Sequence, residues 1–230
     1  RVQQAVAVML SCNGIIPFFI STVTTKRHRV MIIKIYPQNP NEKSVAQAAD
    51  ILARDGVIIY PTDSVYAFGC SLKSTKAIER IRAITGKTGP DFSIICPDLS
   101  VVAAYAKVDN TVFKLLKRNL PGPFTFILNA SGKIPDKFLE KKKTVGIRIP
   151  DNGIPIALVE ALGNPMVTAS VKDSREEEYT TDPSLIYERY GTLVDAVIDG
   201  GYGNHVPTTV VDCTDPDDIS ILREGIGNLV

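Results

Sequence analysis

Along most of the chain, short unbroken apolar runs alternate with longer segments in which apolar residues recur every three or four positions. The runs at residues 32–36, 57–60, 92–96, 124–128, 145–149, 166–170, 196–198, 209–213 and 219–222 have strand length and strand composition. Between the first two, Val45, Ala48, Ala49 and Leu52 fall at helical spacing, with Asn41 or Ser44 as the cap and Gly56 as the stop. Further helices are expected over residues 74–83, over 154–162 ended by Gly163, and over 183–190. Asp98 caps a short helix, and Asp109 opens another whose buried face is Val112, Phe113, Leu115 and Leu116. This alternation predicts an α/β fold: a single-domain twisted mixed sheet with flanking helices, mixed because the final strands follow one another without helices between them.

The first thirty residues do not read as part of that fold. Residues 5–23 are largely apolar but are interrupted by Ser11, Cys12, Asn13, Gly14 and Pro17. The basic cluster Lys26, Arg27, His28, Arg29 follows the apolar stretch, whereas a secretory signal carries its positive charge first. Met31 directly precedes the first strand pattern, so residues 1–30 are expected to be an extension, 31–230 one domain, and Met31 the native start.

Composition narrows the function classes. A hydrophobic content of 44% with 22% charged residues is that of a globular chain, not a disordered or multi-span membrane one. With 26 basic and 25 acidic residues there is no strongly cationic body, so contact with RNA would rest on local clusters. Lys114, Lys117, Arg118, Lys133, Lys137 and Lys141 to Lys143 could form one, although lysine-rich segments also serve as plain solvated faces. Four well-separated cysteines without a CxxC pair, and two histidines, argue against structural zinc or a redox pair and for reduced thiols in a cytoplasmic protein.

Two phosphate-loop patterns fail. Gly86-Lys87-Thr88 resembles the end of a P-loop, but Ile81 stands where the first glycine is needed. Gly200, Gly201 and Gly203 lack a further glycine at dinucleotide-loop spacing and read as turn residues. No serine sits in a G-x-S-x-G elbow, which sets aside the hydrolase triads. The strongest local feature is the polar turn Pro61-Thr62-Asp63-Ser64 directly after an apolar run, because ligands in α/β folds collect where strands give way to loops. An ordinary turn with an Asx-type bond from Asp63 would read the same way.

The string from Val57 through Tyr60-Pro61-Thr62-Asp63-Ser64-Val65-Tyr66 to Gly69 resembles the signature of the YrdC/YciO family, Y-P-T-[DE]-[ST]-x-Y-x-x-G. Pro121-Gly122-Pro123-Phe124-Thr125 is similar to the family's P-G-x-x-T segment, and Val145-Gly146-Ile147-Arg148-Ile149-Pro150 to its V-x-x-R-x-P strand. Pro207-Thr208-Thr209-Val210-Val211-Asp212 with Leu222-Arg223-Glu224-Gly225 resembles its closing pattern, and Phe92-Ser93-Ile94-Ile95-Cys96 resembles the YciO branch.

The resemblance implies a YrdC-like (DHBP synthase-like) fold with a concave basic cleft, and a reaction in which threonine, bicarbonate and ATP give threonylcarbamoyl-AMP for tRNA modification. ATP would enter as a substrate with Mg²⁺, and tRNA or double-stranded RNA would be a further partner. Such chemistry needs positive charge more than a nucleophile. By motif position, Thr62 would face threonine, with Asp63, Arg82 and Lys87 as the other catalytic candidates. Tyr60, Tyr66, Arg148, Ser170, Lys172, Thr208, Thr209 and Arg223 would line the ligand site. The chain departs from the family twice: no Lys-x-Arg element precedes residue 92, where Arg82 and Lys87 are the available cations, and the Ser-x-Asn element reads Ser170-Val171-Lys172. Those departures keep open two alternatives, a paralogue that binds RNA or a modified nucleotide without making the adenylate, and a hydrolase of a threonylcarbamoyl compound with Asp63 as base.

Overall fold

The computed structural model describes residues 30–86, 92–135, 138–139, 143–171 and 178–230. In chain order its elements are β1 (Met31–Lys34), α1 (Glu42–Ala53), β2 (Ile58–Tyr60), β3 (Ala67–Ser71), α2 (Thr75–Thr85), β4 (Ser93–Ile95), α3 (Leu99–Tyr105), α4 (Asn110–Asn119), β5 (Phe124–Asn129) and β6 (Thr144–Arg148). They continue with α5 (Gly153–Leu162), β7 (Met166–Ser170), α6 (Glu178–Thr181), α7 (Pro183–Tyr190), β8 (Ala196–Asp199), β9 (Thr209–Asp212) and β10 (Ser220–Arg223). The helix caps follow from local chemistry. Asn41, Asp98 and Asp109 each accept a backbone N–H of the first turn, and Gly163 ends α5 in the left-handed region.

One ten-stranded sheet runs β1-β8-β2-β3-β7-β4-β6-β5-β9-β10. The strand beyond the sequence pattern is β3, which returns antiparallel to β2 as the second arm of a hairpin. Its residues Ala-Phe-Gly-Cys-Ser are all buried, so neither alternation nor a β-branched run marks it. This hairpin also spreads antiparallel pairing into the middle of the sheet, where β3 pairs β7 and β7 pairs β4, rather than leaving it at the chain's end.

The two faces of the sheet are unlike. On one, α2, α3, α4 and α7 pack Ile78, Ile81, Val102, Leu115, Leu116 and Ile186 into a large core with Phe68, Ile94, Phe126, Ile147 and Val167. Phe113, expected in that core, is 44% exposed, because α4 turns Val112, Leu115 and Leu116 inward instead. On the other face, α1 and α5 build a smaller core with Ile33, Ile58, Tyr60, Ile95, Met166 and Ile198. That cover stops part-way across. On β5, β6 and β9 residues of this face, including Thr125, Ile127, Gly146 and Val210, are only half-buried, with Arg148 the buried exception, while their neighbours on the first face are buried.

A single connection, residues 200–208, carries the chain from the second strand position to the ninth. Seven spacings of about 4.8 Å would span about 34 Å on a flat sheet, close to the full reach of an extended segment that long. The segment bends at residues 201, 205 and 206, so it covers less than that, and the sheet curls to bring its two ends together.

Beneath the β2–β3 hairpin, Tyr60 lies across the backbone of Gly69 and donates its hydroxyl proton to Thr168 Oγ1 at 2.7 Å, two strands away. A Cβ at Gly69 would come within 2.7 Å of the Tyr60 ring and 3.0 Å of the Met166 sulfur. Gly69→Ala is therefore expected to cost about 1–3 kcal/mol through overpacking. Thermal unfolding should show a midpoint lower by roughly 3–10 °C; an unchanged midpoint would mean that the ring does not rest on this backbone.

Candidate functional site

The turn at residues 61–66 folds onto the half-open face and is fixed by its own hydroxyls. Thr62 Oγ1 donates to the Val65 carbonyl at 2.8 Å and accepts from the Ser64 amide at 3.1 Å. Tyr66 then turns away and donates its hydroxyl to the Gly201 carbonyl at 2.6 Å while accepting from the Gly200 amide at 3.3 Å. The Asn204 amide reaches the Ser64 carbonyl at 3.1 Å, so the 200–208 crossing is bonded to this turn at two points.

Against the turn lies Arg148, at the end of β6 and only 3% exposed. Its Nη2 donates to Asp63 Oδ1 at 2.7 Å, to Ser64 Oγ at 3.2 Å and, longer, to Thr62 Oγ1 at 3.4 Å. The second Asp63 oxygen accepts the Asp151 amide at 2.9 Å, just before α5 begins. Arg148 Nε is buried without a hydrogen-bond partner. The arginine is thus held through one nitrogen, and its Nη1 has no acceptor among the described residues.

A second guanidinium comes from the far edge of the sheet. Arg223 on β10 grips the Thr208 carbonyl with Nε at 3.2 Å and Nη2 at 2.8 Å, and Nη2 also reaches Thr208 Oγ1 at 3.2 Å. Thr208 Oγ1 lies 2.9 Å from Thr125 Oγ1 on β5. Partial burial and the Arg148 charge pull the Arg223 guanidinium below its usual value, so the two cations are within electrostatic reach of each other. Beside Arg148 the sheet surface is small: a Cβ on Gly146 would meet Ser93 Cβ at 2.9 Å and Thr125 Cγ2 at 3.2 Å. Two like charges beside a half-open surface would suit an anion.

The family described as Telomere recombination, which groups Sua5, YciO and YrdC, matches residues 50–225. The chain belongs to this family. It is 44% identical over 197 residues to the Uncharacterized protein YciO of Escherichia coli, covering 85% of this chain and 95% of that protein. The E. coli YciO crystal structure superposes with a TM-score of 0.82 at 43% identity, over 86% of this chain and 97% of that one. The Threonylcarbamoyl-AMP synthase of Bacillus subtilis is 29% identical over 79% of this chain and 53% of its own length. P. abyssi Sua5, solved in complex with L-threonine, superposes with a TM-score of 0.77 at 25% identity over 85% of this chain and 58% of that one.

Of the site residues expected from the Sua5/YciO/YrdC pattern, the structure brings Thr62, Asp63 and Arg148 into one bonded cluster and sets Thr208 and Arg223 in a second beside it. Ser170 ends β7 half-buried, on the same face as Thr168. Tyr60 is buried beneath the turn, and burial raises its phenol well above the usual range. Thr209 anchors the C-terminal segment instead, donating to the Gly227 carbonyl at 2.6 Å and accepting from the Gly225 amide at 3.0 Å. Arg82 is not brought to either cluster. It pairs with Glu79 at 2.7 Å and lies 5.6 Å from the centre of the Phe92 ring, which belongs to the large core on the opposite face. Lys87 and Lys172 lie outside the described residues.

Of the residues expected to make a basic cleft, the described ones on α4 do not lie beside Arg148. Lys114, Lys117 and Arg118 ride on α4, which packs over the other face, while Lys137, Lys141 and Lys142 lie outside the described residues. Ser64, Thr125, Thr168 and Asp151, all bonded within or beneath the clusters, were absent from the expected set. Thr125 and Thr168 each sit on the polar side of a strand pattern, a signal that the motifs around them carried without singling them out.

No described thiol offers a nucleophile to this face. Burial pushes Cys70, Cys96 and Cys213 up to about 12, so all three stay protonated at neutral pH. Among the described residues no group of three or more His, Cys, Asp or Glu could hold a metal ion, and no helix is long and apolar enough to cross a membrane. An unfolded chain releases thiol protons near pH 9.0 and the folded one only near 12. Between those values the unfolded state binds fewer protons, so stability is whole below pH 9 and falls as pH rises, by up to about 1.4 kcal/mol per pH unit for each thiol. Urea midpoints measured from pH 7 to 11 should be level to about 9 and then decline, and Cys70→Ala should flatten the decline.

Proposed function

We propose that the half-open sheet face is the site of a threonylcarbamoyl-AMP synthase-type reaction taking ATP, L-threonine and bicarbonate, in the service of tRNA threonylcarbamoyladenosine modification. The observation that carries this reading is the pair of guanidiniums, Arg148 and Arg223, presented over a floor of small and hydroxyl residues with no activated nucleophile beside them. In that reaction the threonine amine and bicarbonate form a carbamate with loss of water. A carbamate oxygen then attacks the α-phosphorus of ATP, the bond to the β-phosphate oxygen breaks, and pyrophosphate leaves. Every group involved is an anion or becomes one, so what the protein must supply is alignment and positive charge.

Arg148 Nη1 and Arg223 Nη1 are the donors left for those oxygens, and Ser170, Ser93 and Thr125 are the hydroxyls around them. Mg²⁺ would come in bound to the triphosphate. The binding of L-threonine by P. abyssi Sua5 supports a threonine subsite here, and the synthases among the relatives support the nucleotide. A second reading is favoured by Lys172, which stands where the family pattern has asparagine: the same face holds a nucleotide or an RNA segment, tRNA or double-stranded, without forming the adenylate. Hydrolysis with Asp63 as base is disfavoured, because both of its oxygens are engaged.

Incubation with ATP, threonine and bicarbonate should release pyrophosphate only when threonine is present. Arg148→Met and Arg223→Met should each lower kcat/KM about 10–100-fold, the loss expected for one charge-assisted hydrogen bond. Binding of AMP or RNA without any pyrophosphate release would select the second reading.

A further inference from the structure

We propose that Asp63 is a positioning residue: its carboxylate aims the Arg148 guanidinium across the open face and takes no proton from a substrate. The inference rests on the reading of that face as an anion site and says how the site is kept in register. Three facts carry it. First, both carboxylate oxygens are engaged, Oδ1 by Arg148 Nη2 at 2.7 Å and Oδ2 by the Asp151 amide at 2.9 Å. Second, the side chain is 6% exposed and that of Arg148 is 4% exposed, so most of the pair is withdrawn from solvent. Third, the acceptors recorded for Arg148 all come from the same turn and all meet Nη2. The grip is one-ended, and the other amino group is left facing outward.

An arginine on a four-bond stem at the end of a strand would otherwise sample many directions. Asp63 removes that freedom by tying the turn, the end of β6 and the start of α5 to one point. A general base needs a free lone pair within about 2.6–3.2 Å of the proton it removes. Each Asp63 oxygen keeps a second lone pair, but both oxygens are already held by donors and the side chain is only 6% exposed, which leaves little approach for a substrate proton.

The sign of the effect separates this role from its rivals. Were Asp63 only a nearby negative charge, neutralising it would strengthen anion binding. As a base, it would leave binding unchanged and its loss would abolish turnover. As a positioning residue, it should weaken binding when replaced, and only while Arg148 is there to be aimed. The test uses Asp63→Asn, Arg148→Met and the double variant, with AMP and inorganic pyrophosphate as probes in calorimetric titrations at fixed ionic strength, and thermal unfolding to confirm folding. Asp63→Asn is expected to weaken AMP binding about 10-fold, and in the Arg148→Met background to change it less than twofold. Tighter binding, unchanged binding, or an equal additional loss in the double variant would overturn the proposal. If the wild-type protein binds neither probe, the anion-site reading fails by itself. The positioning role is then decided by a crystal structure of Asp63→Asn, in which an undisplaced Arg148 guanidinium would refute it.

Discussion

The ion pair between Arg148 and Asp63 is the contact on which the arrangement of the site depends. It joins a turn near the start of the fold to a strand in the other half of the sheet, with both side chains withdrawn from solvent. Pairs of this kind contribute little net stability compared with an apolar replacement, but removing one partner costs about 3–5 kcal/mol because the other charge is stranded. The unpartnered Arg148 Nε adds a further cost of about 1–3 kcal/mol that better packing would avoid. A chain under pressure for stability alone would have placed a leucine or methionine there. Retention of the charge is understandable if the guanidinium is wanted for what it faces.

What it faces is set by the asymmetry of the helices. Four of them cover most of one side of the sheet, and two cover only part of the other. The uncovered part is where Gly146, Ser93 and Thr125 replace the bulky aliphatics found on the opposite side of the same strands. Small residues there would let the ligand proposed above approach the sheet closely, and the hydroxyls would give it hydrogen bonds that an aliphatic floor would not. Open face and core are two sides of the same strands, which is why burial alternates along β5 and along β6 as far as Ile147.

Much of this was legible in the sequence. Strand runs, helix caps at Asn41, Asp98 and Asp109, and the stop at Gly163 follow from local chemistry, and local chemistry decided them. What escaped was tertiary. β3 has no strand signature because its burial on both faces comes from β2, β7 and the cores above and below, not from its own pattern. The motifs located Thr62, Asp63, Arg148, Thr208 and Arg223 but not their partners. That both Asp63 oxygens are engaged, and that Thr209 holds the tail while Thr208 touches Arg223, depends on bonds between residues far apart in sequence. Arg82 looked like a substitute cation only because it precedes β4. The side of the sheet on which α2 packs was not written in that spacing.

The crossing at residues 200–208 has a consequence for assembly. It links Tyr66 and Ser64 on one side to Thr208, and through it to Arg223, on the other. Strand β9 slots beside β5, which was made some eighty residues earlier, and β10 adds itself last. On a ribosome, the β2–β3 turn and β6 emerge well before the segment that completes the second cation cluster. The nascent domain therefore passes through a stage with one guanidinium in place and the other still unsynthesised, and the second cluster forms only after residue 223 has been made.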